Sequence, residues 1–157
     1  MGNPMNILRP RILIVDDTLS HLQMLLGLLE TEYEVCFATS GEEALELVQG
    51  NEQPDLILLD VMMPEMDGYE VCRRLKANPK TSDIPIIFVT SNKGIIDKVK
   101  ARFVGASGYL TKPFTRAELL KIIFMHSVCV YLCDIYLIDC ILIEISFCFA
   151  FKFLKNV

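Results

Sequence analysis

Short apolar runs alternate with amphipathic stretches along residues 11–121 of the chain. Five of the runs have the length of a β-strand, and they occupy positions 12–15, 33–38, 56–59, 86–89 and 108–110. The third and fourth runs are continuously apolar, as central strands of a parallel sheet are when helices cover both faces. Because amphipathic stretches separate the runs, the pattern predicts an α/β protein of the (βα)5 type with a doubly wound, five-stranded parallel sheet.

Apolar residues at helical spacing predict which faces of the intervening helices lie in the core. The third helix pairs Val71 with Leu75, and the fourth aligns Ile96, Val99 and Phe103. The first helix carries a row of four leucines at the same spacing, which are Leu22, Leu25, Leu26 and Leu29. We expect all three rows to pack against the sheet.

Two Ser/Thr-x-x-Glu sequences predict where helices begin. In a capping box, the first residue caps the helix with its hydroxyl and the glutamate reaches back to a free backbone amide. Ser40 with Glu43 fits this pattern before the second helix, and Thr115 with Glu118 fits it before the fifth. We expect the fifth helix to run from position 115 to about position 126.

Composition narrows the class of protein. The chain has 157 residues and a net charge of −5, which suits one domain with a buried core and gives no basic surface for nucleic acid. A content of 52% hydrophobic and 22% charged residues is typical of a folded chain. Residues 1–10 lack the apolar core of a secretory signal, so we expect a cytoplasmic protein.

Apolar residues are concentrated at the C-terminus, where they make up 27 of the 36 residues in 122–157. This segment contains four of the six cysteines and no glycine or proline, but no Cys-x-x-Cys pair that would indicate a zinc site. We therefore expect an N-terminal extension at 1–10, a folded domain at 11–128 and an apolar, cysteine-rich tail at 129–157. We expect no output domain, because residues 122–157 are too few for one and residues 1–10 cannot hold one.

Several interpretations of the tail compete. A transmembrane anchor at 135–151 is disfavoured, because the span is short and contains Asp139 and Glu144, each costing about 3 kcal/mol at mid-bilayer. A disulfide module is disfavoured by the irregular cysteine spacing and the reducing compartment. We favour a replaced or frameshifted C-terminus, followed by helical extension or dimer packing, with membrane attachment last.

Four of the five predicted strands end in a chemically useful side chain or are followed at once by one. Asp16 and Asp17 end the first, Asp60 the third and Thr90 the fourth, and Lys112 comes just after the fifth. Each residue alone has an ordinary role as a turn, cap or surface residue. Open parallel sheets bind their ligands beyond the carboxyl ends of the strands. The placement of all five side chains at this one edge therefore indicates a binding site.

The three carboxylates would share one pocket if the first and third strands are neighbours. They would repel one another unless a hard divalent cation bound between them. Mg²⁺ is the expected cation, because it takes few protein oxygens and accepts phosphate oxygens as further ligands. A carboxylate beside Mg²⁺ can attack phosphorus to give an acyl phosphate, with Thr90 and Lys112 binding the phosphoryl oxygens.

Four stretches form a specific pattern: ILIVDD at 12–17, PDLILLDVMMPEMDG at 54–68, FVT at 88–90 and GASGYLTKPF at 105–114. With them, the segment 12–121 resembles the receiver domain of two-component response regulators, close to the single-domain chemotaxis type. The resemblance implies a flavodoxin-like fold with strand order 2-1-3-4-5. It also implies that the protein is no enzyme toward other substrates and catalyses only its own phosphorylation and dephosphorylation.

The resemblance implies a role for each residue of the site. Asp60 would be the phosphoacceptor and would bind Mg²⁺ directly together with Asp17 and the Met62 carbonyl, while Asp16 would act through water. Three further residues would complete the machinery, namely Thr90 as the switch hydroxyl, Tyr109 as the switch aromatic and Lys112, before a cis proline, as the phosphate-pairing cation.

Partners follow from the same resemblance. The phosphoryl group would come from a sensor histidine kinase or a histidine phosphotransfer protein, and a downstream protein would bind helix 4, strand 5 and helix 5. His21 is expected to be a solvated residue of the first helix.

A phosphatase of the haloacid dehalogenase type is the rival from the enzyme class. It needs an aspartate two residues after the nucleophile as general acid, but Met62 follows Asp60 at that spacing and Thr18 follows Asp16. The other alternative is a truncated or membrane-attached regulator fragment, and the apolar tail is the one feature of the sequence that supports it.

Overall fold

The computed structural model describes residues 9–50, 52–91 and 94–135. Strands and helices alternate along this part of the chain, as the hydrophobic pattern predicts. The elements are β1 (Arg11–Val15), α1 (Leu19–Leu29), β2 (Glu34–Ala38), α2 (Gly41–Val48), β3 (Leu56–Leu59), α3 (Gly68–Ala77), β4 (Ile86–Thr90), α4 (Ile95–Phe103), β5 (Gly108–Thr111) and α5 (Arg116–Ile135).

All strand pairs are parallel, and the order in the sheet is β2-β1-β3-β4-β5. Both the fold class and the strand order are therefore confirmed. Val15 pairs with Leu59 at the carboxyl ends of β1 and β3, and Thr90 pairs with Thr111 at the ends of β4 and β5. This register brings the residues that follow these strands to one edge of the sheet.

Helices cover the sheet on both faces and form two cores. On one face, α1 and α5 bury Leu22, Leu25 and Ile123 against the strands. On the other face, α2 and α3 bury Ala44 and Val71. Central strands pack on both sides, which explains why β3 and β4 are apolar at consecutive positions.

The two capping boxes form, with one difference in detail. The Thr115 hydroxyl accepts from the amide of Glu118 (3.2 Å), and the Glu118 carboxylate accepts from the amide of Thr115 (2.7 Å). In α2, Ser40 accepts from the amide of Glu43, but the Glu43 carboxylate reaches the amide of Thr39 rather than that of the cap. Both helices begin where the sequence predicts.

The predicted core row of α4 is wrong. Ile96, Val99 and Phe103 are 70%, 48% and 87% exposed, and α4 buries only Ala101. The helix lies against the edge strand β5, and the small side chain of Ala101 makes its contact with the core. The apolar row of α4 faces outward.

Helix α5 continues past the predicted end near position 126 and reaches Ile135. Its buried contacts with the sheet come from Leu119 and Ile123, near its start. No helix in the ranges that the structure describes is long and apolar enough to span a membrane. The expectations for the tail at 129–157 lie outside the described residues, apart from this helical backbone up to Ile135.

Candidate functional site

Asp16, Asp17 and Asp60 meet at the carboxyl edge of the sheet, where the sequence places them. One carboxylate oxygen from each lies within 4.8 Å of those of the other two. Asp16 and Asp60 are only 2% and 8% exposed, whereas Asp17 is open to solvent. Two buried carboxylates and one exposed carboxylate thus line one acidic pocket.

Backbone hydrogen bonds fix two of these aspartates relative to the strands. The amide of Asp60 donates to the carbonyl of Val15 (2.8 Å), and the amide of Asp16 donates to that of Ala38 (3.2 Å). The parallel ladder therefore continues one residue beyond β1 and β3 and sets the spacing of the pocket.

Gly68 allows α3 to begin directly beside the Asp60 backbone. A Cβ at this position would lie 2.2 Å from the Asp60 carbonyl oxygen, so no larger residue fits without moving the backbone. The Gly68 amide donates to the Val61 carbonyl (2.9 Å), and the carboxylate of Asp67 caps the helix at Glu70 (2.8 Å). The Asp67-Gly68 pair thus holds the loop after β3 in place.

Lys112 closes the pocket with a positive charge. Its ammonium lies 2.7 Å from Oδ2 of Asp16 and 3.4 Å from Oδ1 of Asp60, and its amide donates to the Thr90 carbonyl. The Lys112–Pro113 peptide bond is cis, as expected. The cation predicted to pair with phosphate is thus shared between two carboxylates, and it is closer to Asp16.

His21 also belongs to this cluster. It lies in the first helix, as expected, and its side chain is 39% exposed, but it also contacts the acidic pocket, which the sequence did not predict. Its Nδ1 lies 3.1 and 3.0 Å from the two carboxylate oxygens of Asp16 and 3.0 Å from the Lys112 ammonium. Helix α1 starts at Leu19, so His21 is in its first turn, next to the end of β1. One feature of the sequence could have predicted this contact: His21 comes five residues after Asp16, in the first turn of the helix that begins beside the pocket.

Burial dominates the electrostatics of Asp60. Desolvation raises the pKa of its carboxyl group above the ordinary value, and the negative charge of Asp16 acts in the same direction. The ammonium of Lys112 and the amide of Met62, which donates to Asp60 Oδ2 at 3.1 Å, oppose that shift. A cation next to Asp60 would favour the charged form further.

The remaining predicted residues lie around the carboxylates. Thr90 is fully buried at the end of β4, and Met62 exposes most of its side chain. Tyr109 is half-buried on β5, with its ring 6.5 Å from that of Phe88 and the Lys98 ammonium 5.9 Å from its centre. The aromatic residue thus lies between β4 and α4.

The donor set of the pocket suits a hard cation. Its charged ligand atoms are carboxylate oxygens, which are the ligands that Mg²⁺ prefers. The described residues add no cysteine to the cluster, and the histidine nitrogen nearest to it is already engaged by Asp16 and Lys112. The residues therefore fit a magnesium site.

Comparison with known proteins decides the family. Residues 12–124 match the family model of the response regulator receiver domain. The chain belongs to the response regulator receiver family. This receiver is 36% identical over 117 residues to Protein PilG of Pseudomonas aeruginosa, which covers 74% of this chain and 86% of PilG. It is also 46% identical over 104 residues to the response regulator PleD of Caulobacter vibrioides, which is 66% of this chain but only 23% of PleD.

Solved receiver structures share the fold. The chemotaxis protein CheY4 of Vibrio cholerae superimposes with a TM-score of 0.70 at 35% identity, over 74% of this receiver and 97% of that chain. The receiver domain of a Pseudomonas aeruginosa sensor histidine kinase gives a TM-score of 0.69 at 30% identity, over 75% and 97% of the two chains. That second structure has a magnesium ion coordinated in its active site cleft.

Proposed function

We propose that this receiver accepts a phosphoryl group on Asp60 and signals through phosphorylation-dependent contact with another protein. The observation that carries the proposal is the buried Asp60 carboxylate, which shares one pocket with Asp16, Asp17 and the Lys112 ammonium. The carboxylate is the nucleophile, and the ammonium is positioned to neutralise incoming phosphoryl oxygens.

The donor is a phosphohistidine on a sensor histidine kinase or a histidine phosphotransfer protein. An Asp60 oxygen forms a bond to phosphorus while the phosphorus–nitrogen bond breaks, and the imidazole leaves with that electron pair. The product is an acyl phosphate, and no oxidant or further reactant is needed. Water later attacks phosphorus, the bond from phosphorus to the Asp60 oxygen breaks, and inorganic phosphate leaves as the carboxylate is restored.

Asp17, Asp60 and the Met62 carbonyl would hold Mg²⁺ directly, and Asp16 would hold it through water. When bound, the ion supplies charge neutralisation for the carboxylates and the phosphoryl oxygens. The support in this chain is the acidic cluster itself, together with the magnesium found in the related kinase receiver.

Thr90 and Lys112 would carry the signal away from Asp60. Both lie at the carboxyl edge, and the amide of Lys112 donates to the Thr90 carbonyl, so a phosphoryl group that attracts both side chains acts on β4 and β5 together. Tyr109 packs between Phe88 and α4 and is the aromatic expected to respond.

The downstream partner would bind the face formed by α4, β5 and α5. The exposed apolar row of α4, formed by Ile96, Val99 and Phe103, supports this assignment because a partner can bury it on contact. We further propose a cytoplasmic protein whose receiver occupies 11–128, followed by a replaced C-terminal segment. In this proposal the chain has no enzymatic activity toward other substrates.

A comparison of two phosphate donors tests the proposal. The full chain is incubated with Mg²⁺ and either phosphoramidate or a phosphomonoester such as p-nitrophenyl phosphate. We expect stoichiometric labelling of the protein by phosphoramidate and no sustained turnover of the monoester. Repeated turnover of the monoester, lost in Asp60→Asn, would favour a phosphatase instead.

A further inference from the structure

His21 has two possible partners but can bond only one of them at a time. The ionised carboxylate of Asp16 only accepts, and the ammonium of Lys112 only donates. Both lie about 3 Å from the same nitrogen, Nδ1 of His21. This nitrogen therefore donates to Asp16 in one tautomer and accepts from Lys112 in the other.

Asp16 depends on these neighbours because it is almost completely buried. Its Oδ1 accepts from the amide of Thr18 at 2.9 Å, and its Oδ2 accepts from Lys112 at 2.7 Å. A buried carboxylate that loses a charged partner without replacement is strongly destabilised. Phosphorylation of Asp60 would weaken this pairing, since Lys112 would turn toward the phosphoryl oxygens and leave Asp16 with the Thr18 amide and the water of bound Mg²⁺.

We propose that His21 is a positioning residue of the phosphoacceptor site, donating from Nδ1 to Asp16 when Lys112 leaves that carboxylate for the phosphoryl group. The nitrogen is already within hydrogen-bond distance of both Asp16 oxygens, so the exchange needs a change of tautomer and little movement. His21 thereby makes it easier for Lys112 to reach the phosphoryl group. This inference rests on the proposed function of Asp60.

Loss of the His21 side chain should lower the rate of phosphorylation without changing the concentration of Mg²⁺ that phosphorylation requires. In His21→Leu, Asp16 keeps the Thr18 amide and the water of bound Mg²⁺ but gains no donor in place of Lys112. The rate at saturating phosphoramidate and Mg²⁺ should therefore fall about fivefold, as expected for one lost hydrogen bond. The Mg²⁺ concentration giving half of the maximal rate should stay unchanged, because Asp17 and Asp60 are intact. His21→Ala should behave in the same way.

A conservative variant and a surface control separate positioning from packing. The side-chain amide nitrogen of asparagine occupies nearly the place of Nδ1 and can donate, so His21→Asn should restore the wild-type rate. Gln23→Leu, on the exposed side of the same helix, should leave the rate unchanged. All variants are assayed in the full chain.

Nitrogen-15 spectra of the imidazole rings supply a structural readout. The chain contains two histidines, and His126→Gln assigns their signals. In the phosphorylated protein, Nδ1 of His21 should carry a proton.

Three results would overturn the inference while leaving the proposed function intact: equal rates for wild type and His21→Leu, no recovery in His21→Asn, or a phosphorylated protein whose His21 Nδ1 lacks a proton. An increase in the required Mg²⁺ that matches the loss of rate would also overturn it, because His21 would then act on the metal. Failure of the wild-type protein to be labelled would instead refute the proposed function, and the inference with it.

Discussion

The ammonium of Lys112 lies 2.7 Å from a carboxylate oxygen of Asp16, although the two residues are 96 positions apart in the chain. Asp16 follows β1 and Lys112 follows β5, so β3 and β4 lie between them in the sheet. The lysine side chain spans the ends of both strands and passes Asp60 at 3.4 Å. This contact links the end of the edge strand β5 to the acidic pocket. Any group that draws the Lys112 ammonium away therefore also removes a charged hydrogen-bond donor from Asp16.

The three carboxylates should contribute unequally to magnesium affinity. Asp17→Asn should raise the dissociation constant of Mg²⁺ by on the order of tenfold or more, because it removes a direct ligand. Asp16→Asn should have a smaller effect, because Asp16 acts through water and is occupied by Lys112. Calorimetric titration measures both constants, with the exposed Asp83→Asn as a control. An equal or larger loss in Asp16→Asn would reverse the assignment of ligands.

Loss of the Thr90 hydroxyl should separate phosphorylation from signalling. Thr90→Ala should still be labelled on Asp60, yet the amide signals of α4 and β5 should shift much less on phosphorylation than in wild type. The reason is that no hydroxyl then draws β4 toward the phosphoryl group. Thr90→Ser, which keeps the hydroxyl, is the matched control. Full wild-type shifts in Thr90→Ala would show that the hydroxyl carries no signal.

Lys112→Ala should give a related but distinguishable result. It removes the cation that neutralises the phosphoryl oxygens, so labelling should be slower and the response of α4 should be lost. Because Asp16 and Asp60 then face each other without the ammonium, the variant should also melt at a lower temperature without Mg²⁺ than with it. A variant that transmits phosphorylation to α4 as wild type does would contradict the role of Lys112.

Asp60 should cost folding stability at neutral pH. Because its pKa is raised in the folded state, the folded protein holds a proton at pH values where the unfolded chain has released it, and stability falls as pH rises through that range. Asp60→Asn should therefore raise the melting temperature at pH 7 without Mg²⁺, and this gain should shrink toward the acid side of the carboxyl range. A lower melting temperature for Asp60→Asn at pH 7 would show that the Lys112 contact outweighs burial.

Removal of the tail should leave the receiver intact. Leu119 and Ile123 supply the buried contacts of α5, so a chain ending at residue 128 should fold, stay in solution at higher concentration than the full chain and be labelled on Asp60 at the same rate. Sedimentation and circular dichroism test this. Unfolding of the shortened chain would assign residues 129–157 to the folded domain.

The sequence was sufficient for the sheet and for most of the site. The continuously apolar runs at 56–59 and 86–89 have the length and composition of central strands, and the polar residues at the ends of parallel strands meet at one edge. The specific motifs around Asp60 and Lys112 added the strand order. The strands and the edge at which their ends meet follow from the local hydrophobic pattern and from the parallel direction of the strands, and both can be read from the sequence.

Periodicity was not sufficient where tertiary contacts decide the outcome. The row of Ile96, Val99 and Phe103 has the spacing of a core face, but α4 packs at the sheet edge and buries only Ala101. His21 lies outside any apolar row, and its contact with Asp16 depends on where α1 begins relative to β1. The spacing within one element does not determine which neighbour that element meets.

The most direct test of the account is to map the phosphorylated residue. The full chain is labelled with phosphoramidate, with and without Mg²⁺, reduced with borohydride to trap the acyl phosphate, and sequenced by mass spectrometry. We expect a single modified residue, Asp60, which is labelled only with Mg²⁺. The label should be absent in Asp60→Asn and unchanged in Asp83→Asn. Modification at Asp16 or Asp17, or labelling of Asp60→Asn at the wild-type rate, would contradict it.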